Sequence, residues 1–190
     1  PDIISIVHCH TGRYECEFSN HQIFYLSEGY FSIMGTKYLP ISFSFPLKKC
    51  YAFSLVIDKH EVSQNTKNIL KMFNIDILSE KLALDEKGYL SQPSSDLKHL
   101  FSEIYSAKDK EKIEYFRIKA LEFLYHIASL SRHNKSDFKY YDKKYIQFAK
   151  EIHNSMIEHL DEKISLKQLT AEKDFNLSLF HKVFTQIYGD

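Results

Sequence analysis

The sequence of 190 residues predicts an α+β chain: a small β-barrel or sandwich first, helices after it, and an all-α helix-turn-helix segment at the end. Three observations carry this. Six short segments rich in Ile, Phe, Tyr and Val (3–10, 13–18, 21–26, 30–34, 41–45 and 51–57) alternate with turn-forming Thr11-Gly12, Ser19-Asn20, Glu28-Gly29 and Pro46. From about residue 62 the apolar period changes from two to that of a helix. The 28 residues from Glu162 to Gly189 read as a helix, a tight turn and a second helix.

Within the strands, Tyr14, Cys16 and Phe18 share one face, and Arg13, Glu15 and Glu17 share the other. Beyond them a short helix is expected around Ile69, Leu70 and Phe73. After Pro93, Ser95 is the expected cap of a helix whose stripe is Leu97, Leu100, Phe101, Ile104 and Tyr105. The stretch 108–131 is the most regular, with Ile113, Phe116, Ala120, Phe123, Ile127 and Leu130 on one stripe and Ile118, Leu121, Tyr125 and Ala128 on another. The first stripe either pairs with a second copy of the chain, as in a two-stranded helical dimer interface, or is buried within its own domain. Residues 134–142 lack apolar periodicity and read as a linker. Tyr145, Phe148, Ala149, Ile152, Met156 and Leu160 then form the stripe of a supporting helix.

In the final segment, Ser165 and Gln168 have the spacing of a capping box, so a helix starts there. Leu166 and Leu169 give it an apolar stripe, and small Thr170 allows a close crossing. The turn falls near Lys173–Phe175, and Asn176 caps the next helix. Its inward face is Phe180, Val183, Phe184 and Ile187, and Gly189 ends it as a left-handed cap. The outward residues Ser178, Leu179, His181, Lys182, Thr185 and Gln186 are the candidates for contact with double-stranded DNA, since hydroxyl, amide and ammonium groups meet phosphates and base edges.

These residues carry a family resemblance. Ser165, Leu166, Leu169, Asn176, Phe180, Phe184 and Gly189 resemble the first helix-turn-helix of AraC/XylS-type transcription regulators, and Lys182 stands where that family often has a DNA-touching Arg. Lys173, Asp174 and Thr170 depart from the usual apolar residue, Gly and Ala. Gly12, Arg13, Glu15, Phe45, Pro46 and Tyr51 resemble the cupin-type sensor of the same family. The resemblance implies a cupin-like sensor and dimerisation domain over residues 1–133, a linker at 134–142 and a partial DNA-binding domain over 143–190. It implies a homodimer that binds promoter DNA in response to a small-molecule effector; the second helix-turn-helix that family members carry is missing from these 190 residues.

Formal net charge is +0, and residues 143–190 hold seven Lys against seven Asp or Glu, so no broad basic field supplies non-specific DNA affinity. Three cysteines without CxxC spacing, no signal-peptide pattern and no run of about 18 apolar residues point to a cytoplasmic protein without a membrane partner. No Gly-rich phosphate loop, nucleophile elbow or HExxH motif occurs, so the chain is not expected to be an enzyme or to hold a cofactor.

Arg13 and Glu15, on one strand face, form either a structural ion pair or an effector-orienting pair, and Tyr14, Phe24, Tyr51 and Phe53 line either an apolar ligand pocket or the core. His8 and His10 share a strand face near Glu15, with His21 as a third nitrogen, which is the pattern that a metal-dependent cupin enzyme would use. That enzyme, and a shortened sensor that dimerises and binds effector but not DNA, are the two alternatives.

Overall fold

The structure, a computed structural model, describes residues 2–76, 88–107, 113–130, 139–158, 165–173 and 175–189. It is α+β. In order the described elements are β1 (Ile3–Glu17), β2 (Gln22–Ser27), β3 (Phe31–Gly35), a 3-10 turn (Thr36–Tyr38), β4 (Ser42–Ser44), β5 (Cys50–Asp58), α1 (Gln64–Met72), β6 (Tyr89–Ser91), α2 (Ser95–Ser106), α3 (Ile113–Ala128), β7 (Tyr141–Asp142), α4 (Lys143–Glu158), α5 (Leu166–Glu172) and α6 (Leu177–Tyr188). No helix among the described residues is long and apolar enough to cross a membrane.

Two compact units divide the chain: Pro1–His10, Gly29–Leu39 and Tyr51–Phe138 form the first, and Thr11–Glu28, Pro40–Cys50 and Lys139–Asp190 the second. This partition differs from the linear division at residues 134–142. Strand residues 11–28 join the C-terminal helices, because β2 turns Ile23 and Tyr25 into the helical core. Of the expected linker, 134–138 lie outside the described residues, and Tyr141–Asp142 form β7, paired with Gln22 and Ile23 of β2.

In the first unit β1 runs antiparallel to β3, with Ile4 opposite Gly35, Ile6 opposite Ile33 and His8 opposite Phe31. β3 continues to β6, a three-residue strand too short to read from the sequence. Ile4, Ile6, Phe31 and Ile33 pack with Leu97, Leu100, Phe101 and Ile104 of α2 and with Phe123 and Ile127 of α3. α2 is capped by Ser94 rather than Ser95, its hydroxyl accepting from the Leu97 N–H at 3.4 Å. Such a cap is worth about 1 kcal/mol. In α1 only Leu70 is buried; Ile69 and Phe73 are exposed.

In the second unit residues 13–17 of β1 pair with β2 on one side and, at Glu15–Glu17, with β4 on the other. Ile23 and Tyr25 pack against Ile146, Phe148, Ala149 and Ile152 of α4 and Phe180, Val183 and Ile187 of α6.

The segments 3–10 and 13–18 form one strand where the sequence predicted two. Thr11-Gly12 is not a turn: Gly12 sits within β1 at φ +91°, its N–H donating to Glu28 at 3.1 Å. A Cβ at Gly12 would stand 2.3 Å from the Lys49 carbonyl oxygen, whereas one at Gly29 (φ +76°) would meet nothing within 4 Å. Gly12→Ala therefore combines backbone strain with a clash and should cost on the order of 3 kcal/mol, against about 1 kcal/mol for Gly29→Ala. Urea unfolding of the two variants measures the difference.

Candidate functional site

α5 and α6 form the expected helical pair. α5 begins at Leu166, with the Ser165 backbone carbonyl accepting the Leu169 N–H at 3.1 Å; the Gln168 side chain of the capping box lies outside the described residues, as does Asp174. The Thr170 hydroxyl is buried and donates to the Leu166 carbonyl at 2.8 Å, and the Phe175 N–H returns to the Thr170 carbonyl at 2.8 Å, which closes the turn. Asn176 caps α6, its side-chain oxygen accepting from the Leu179 N–H at 2.9 Å. Gly189 has the positive φ expected, +89°, but ψ is −169°, so it ends the helix in an extended glycine conformation rather than a left-handed helical one.

Phe180, Val183 and Ile187 are fully buried and Phe184 packs against them. On the opposite face Ser178, Leu179, His181, Lys182 and Thr185 are exposed. Gln186 is half-buried and engaged: its Nε2 donates to the Ser27 hydroxyl at 2.8 Å, and its Oε1 accepts from the Tyr141 hydroxyl at 3.4 Å.

Arg13 and Glu15 point at the C-terminal helices. Arg13 Nη1 donates to the Gln186 carbonyl oxygen and to that of Thr185 at 3.3 Å, so the guanidinium caps the negative end of α6. Glu15 is buried and accepts from Tyr25, from Ser44 at 2.8 Å and from the Lys150 ammonium at 2.8 Å. Burial and then the Glu15 charge raise the Tyr25 pKa far above the usual phenol range, so Tyr25 remains a donor. Two residues on, Glu17 pairs with Lys143 at 2.7 Å, and that hydrogen bond holds its carboxyl below the ordinary range. The sequence offered Arg13 and Glu15 as partners of each other or of an effector. The structure gives each a C-terminal partner, Lys150 being one that its sequence context does not distinguish from a surface lysine.

The other four effector candidates divide between the two units. Tyr14 stacks on Phe43, with Phe45 beside it, on the side of β1 opposite Arg13. Phe24 is buried next to Cys16 in the ladder. Tyr51 and Phe53 belong to the first unit, where Tyr51 is exposed and Phe53 packs on Phe101 and Phe123.

His8 and His10 face α2. His8 stacks on Phe101 with centroids 3.7 Å apart, and His10 stacks on Tyr105 at 4.0 Å. The Tyr105 hydroxyl meets His8 Nδ1 at 2.9 Å, donates to the His8 carbonyl at 3.1 Å and accepts from the Phe53 N–H at 2.9 Å. Burial, then the neighbouring His10, pushes the His8 pKa down to about 4. His21 is exposed in the second unit, 3.7 Å from Glu17. Among the described residues no group of three His, Cys, Asp or Glu side chains could hold a metal ion.

On α3, Phe123 and Ile127 are fully buried in the core of their own unit and Leu130 packs against that core, so this part of the expected dimer stripe is already covered. The apolar residues left open are Ile113 (65 % exposed) and Phe116 from that stripe, with Ile118 (64 %) and Tyr125 (55 %) from the other; Ala120 is half-buried.

No family model, curated protein or solved structure matches this chain.

Lys150→Met should destabilise the protein by about 2 kcal/mol, since it leaves the Glu15 carboxylate buried with hydroxyl donors only, and Glu15→Gln in the same chain should restore part of the loss. Chemical denaturation of the single and double variants reads both. His8 produces a second effect. Its folded pKa lies below its unfolded one, so the unfolded state takes up the proton first, and stability falls as pH drops from about 6.5 towards 4. This contribution is on the order of 3 kcal/mol between pH 7 and 4, and a His8→Gln variant should lack that part of the slope.

Proposed function

We propose that the chain is a ligand-responsive, sequence-specific DNA-binding transcription regulator, with α6 as the element that enters the major groove. The observation that carries this is the division of α6 into two faces. Phe180, Val183 and Ile187 are consumed by the core, while Ser178, His181, Lys182 and Thr185 recur at i, i+3, i+4 and i+7 on the exposed side with Leu179 between them. That side presents one ammonium, one imidazole and two hydroxyls, a set suited to phosphate oxygens and base edges. Gln186, tied to Ser27 and Tyr141, is left out of the reading face.

A second copy of the chain fits the same reading. The open apolar side chains of α3 suit a helix from a partner, and a two-fold dimer would present two α6 helices to two half-sites. Regulation follows from Arg13. An acidic effector that drew the guanidinium away from the Thr185 and Gln186 carbonyls would release the C-terminal end of α6, and binding that conformation more tightly would shift its population.

Lys182→Ala should weaken binding to a duplex and reduce the magnitude of the log-affinity against log-salt slope by about one, without lowering the melting temperature. Fluorescence anisotropy across a salt series checks it, and an unchanged slope removes α6 from the interface.

A further inference from the structure

We propose that the first unit carries an anion-binding site beside α1, built to take a small phosphate monoester. The site is an open cleft of about 350 Å³ whose lining includes Lys59, Lys67 and Lys71. Among the described residues of that lining Asp76 is the one carboxylate, against three lysines, in a chain whose formal net charge is +0.

The distribution of partners sharpens the point. Lys59 is paired with Asp2 at 3.1 Å. Lys67 and Lys71 have no carboxylate partner among the described residues, and they stand four apart on one helical face. Like charges at that spacing destabilise a helix, and α1 has no acidic residue anywhere along Gln64–Met72 to offset them. A dianion held between the two would remove the repulsion and gain charge-assisted hydrogen bonds from both.

The neutral groups agree in sign. Gln64 donates its amide N–H to Asn68 Oδ1 at 3.1 Å, which leaves the Asn68 NH₂ as a donor for a bound oxygen. Leu70 and Ile75 also line the cleft and are buried, so an apolar surface receives the organic part of the ligand. Two free ammoniums match the two charges of a phosphate monoester at neutral pH, and the volume admits a body of a few carbon atoms.

This site is independent of the DNA reading, and its test contains no DNA. Glycerol 3-phosphate is titrated into the full chain by calorimetry at constant ionic strength, with sodium chloride as the matched control. Saturable binding at one site per chain is expected, weakened at least tenfold in Lys67→Gln/Lys71→Gln and unchanged in Lys98→Gln, an exposed lysine of α2. Asn68→Asp, nearly isosteric and on the exposed helix surface, should abolish binding while circular dichroism shows an unchanged melt. Heat that does not saturate, a response matched by chloride, or a double variant within twofold of the parent overturns the proposal.

Discussion

One buried carboxylate organises the second unit. Glu15 lies in a place where an unpaired charge would cost several kcal/mol, so the chain must bring donors to it, and it does so from β2, β4 and α4. These partners stand 10, 29 and 135 residues away in sequence. A single satisfied charge thus fixes the register of two strands and the placement of a helix from the far end of the chain. Its neighbours on the same strand face repeat the arrangement, with Arg13 on the last carbonyls of α6 and Glu17 on Lys143 at the start of α4. Successive odd positions of one strand therefore each anchor a C-terminal element, which is why residues 139–190 and 11–28 belong to one unit.

The same strand serves the first unit by apolar means. Ile4 and Ile6 bury against α2 and α3, and His8 continues the row as a stacked, neutral ring. Gly12 separates the two regimes. Its positive φ and the absence of a side chain let the Lys49 carbonyl come close, so the strand continues where a Thr-Gly pair ordinarily marks a turn.

Legibility followed how local each interaction is. α6 was readable from end to end because an Asn cap, a helical period and a terminal Gly all lie within fourteen residues. The stripe of α2 was equally plain, but Ser94 and Ser95 offer the same hydroxyl to the same backbone, and only geometry selects the first. β7 and β6 were invisible, since two or three residues show no period and exist only through their partner strands. Arg13 and Glu15 were recognisable as a charged pair on one face, yet their partners are distant: nothing in the sequence around Lys150, Thr185 or Gln186 announces them. On α3 the heptad-like spacing of Ile113 to Leu130 indicated burial without saying by what, and the core of the same unit had claimed Phe123 and Ile127.

The Tyr105 hydroxyl decides more than packing. A phenol has one proton to give and two lone pairs, and here the proton goes to the His8 carbonyl while the Phe53 N–H takes one lone pair. With that proton spent, the contact with His8 Nδ1 is a hydrogen bond in the tautomer that carries the imidazole hydrogen on Nδ1. In that tautomer Nε2 is a bare lone pair, so the neutral ring accepts a hydrogen bond there and offers one only after taking up a second proton.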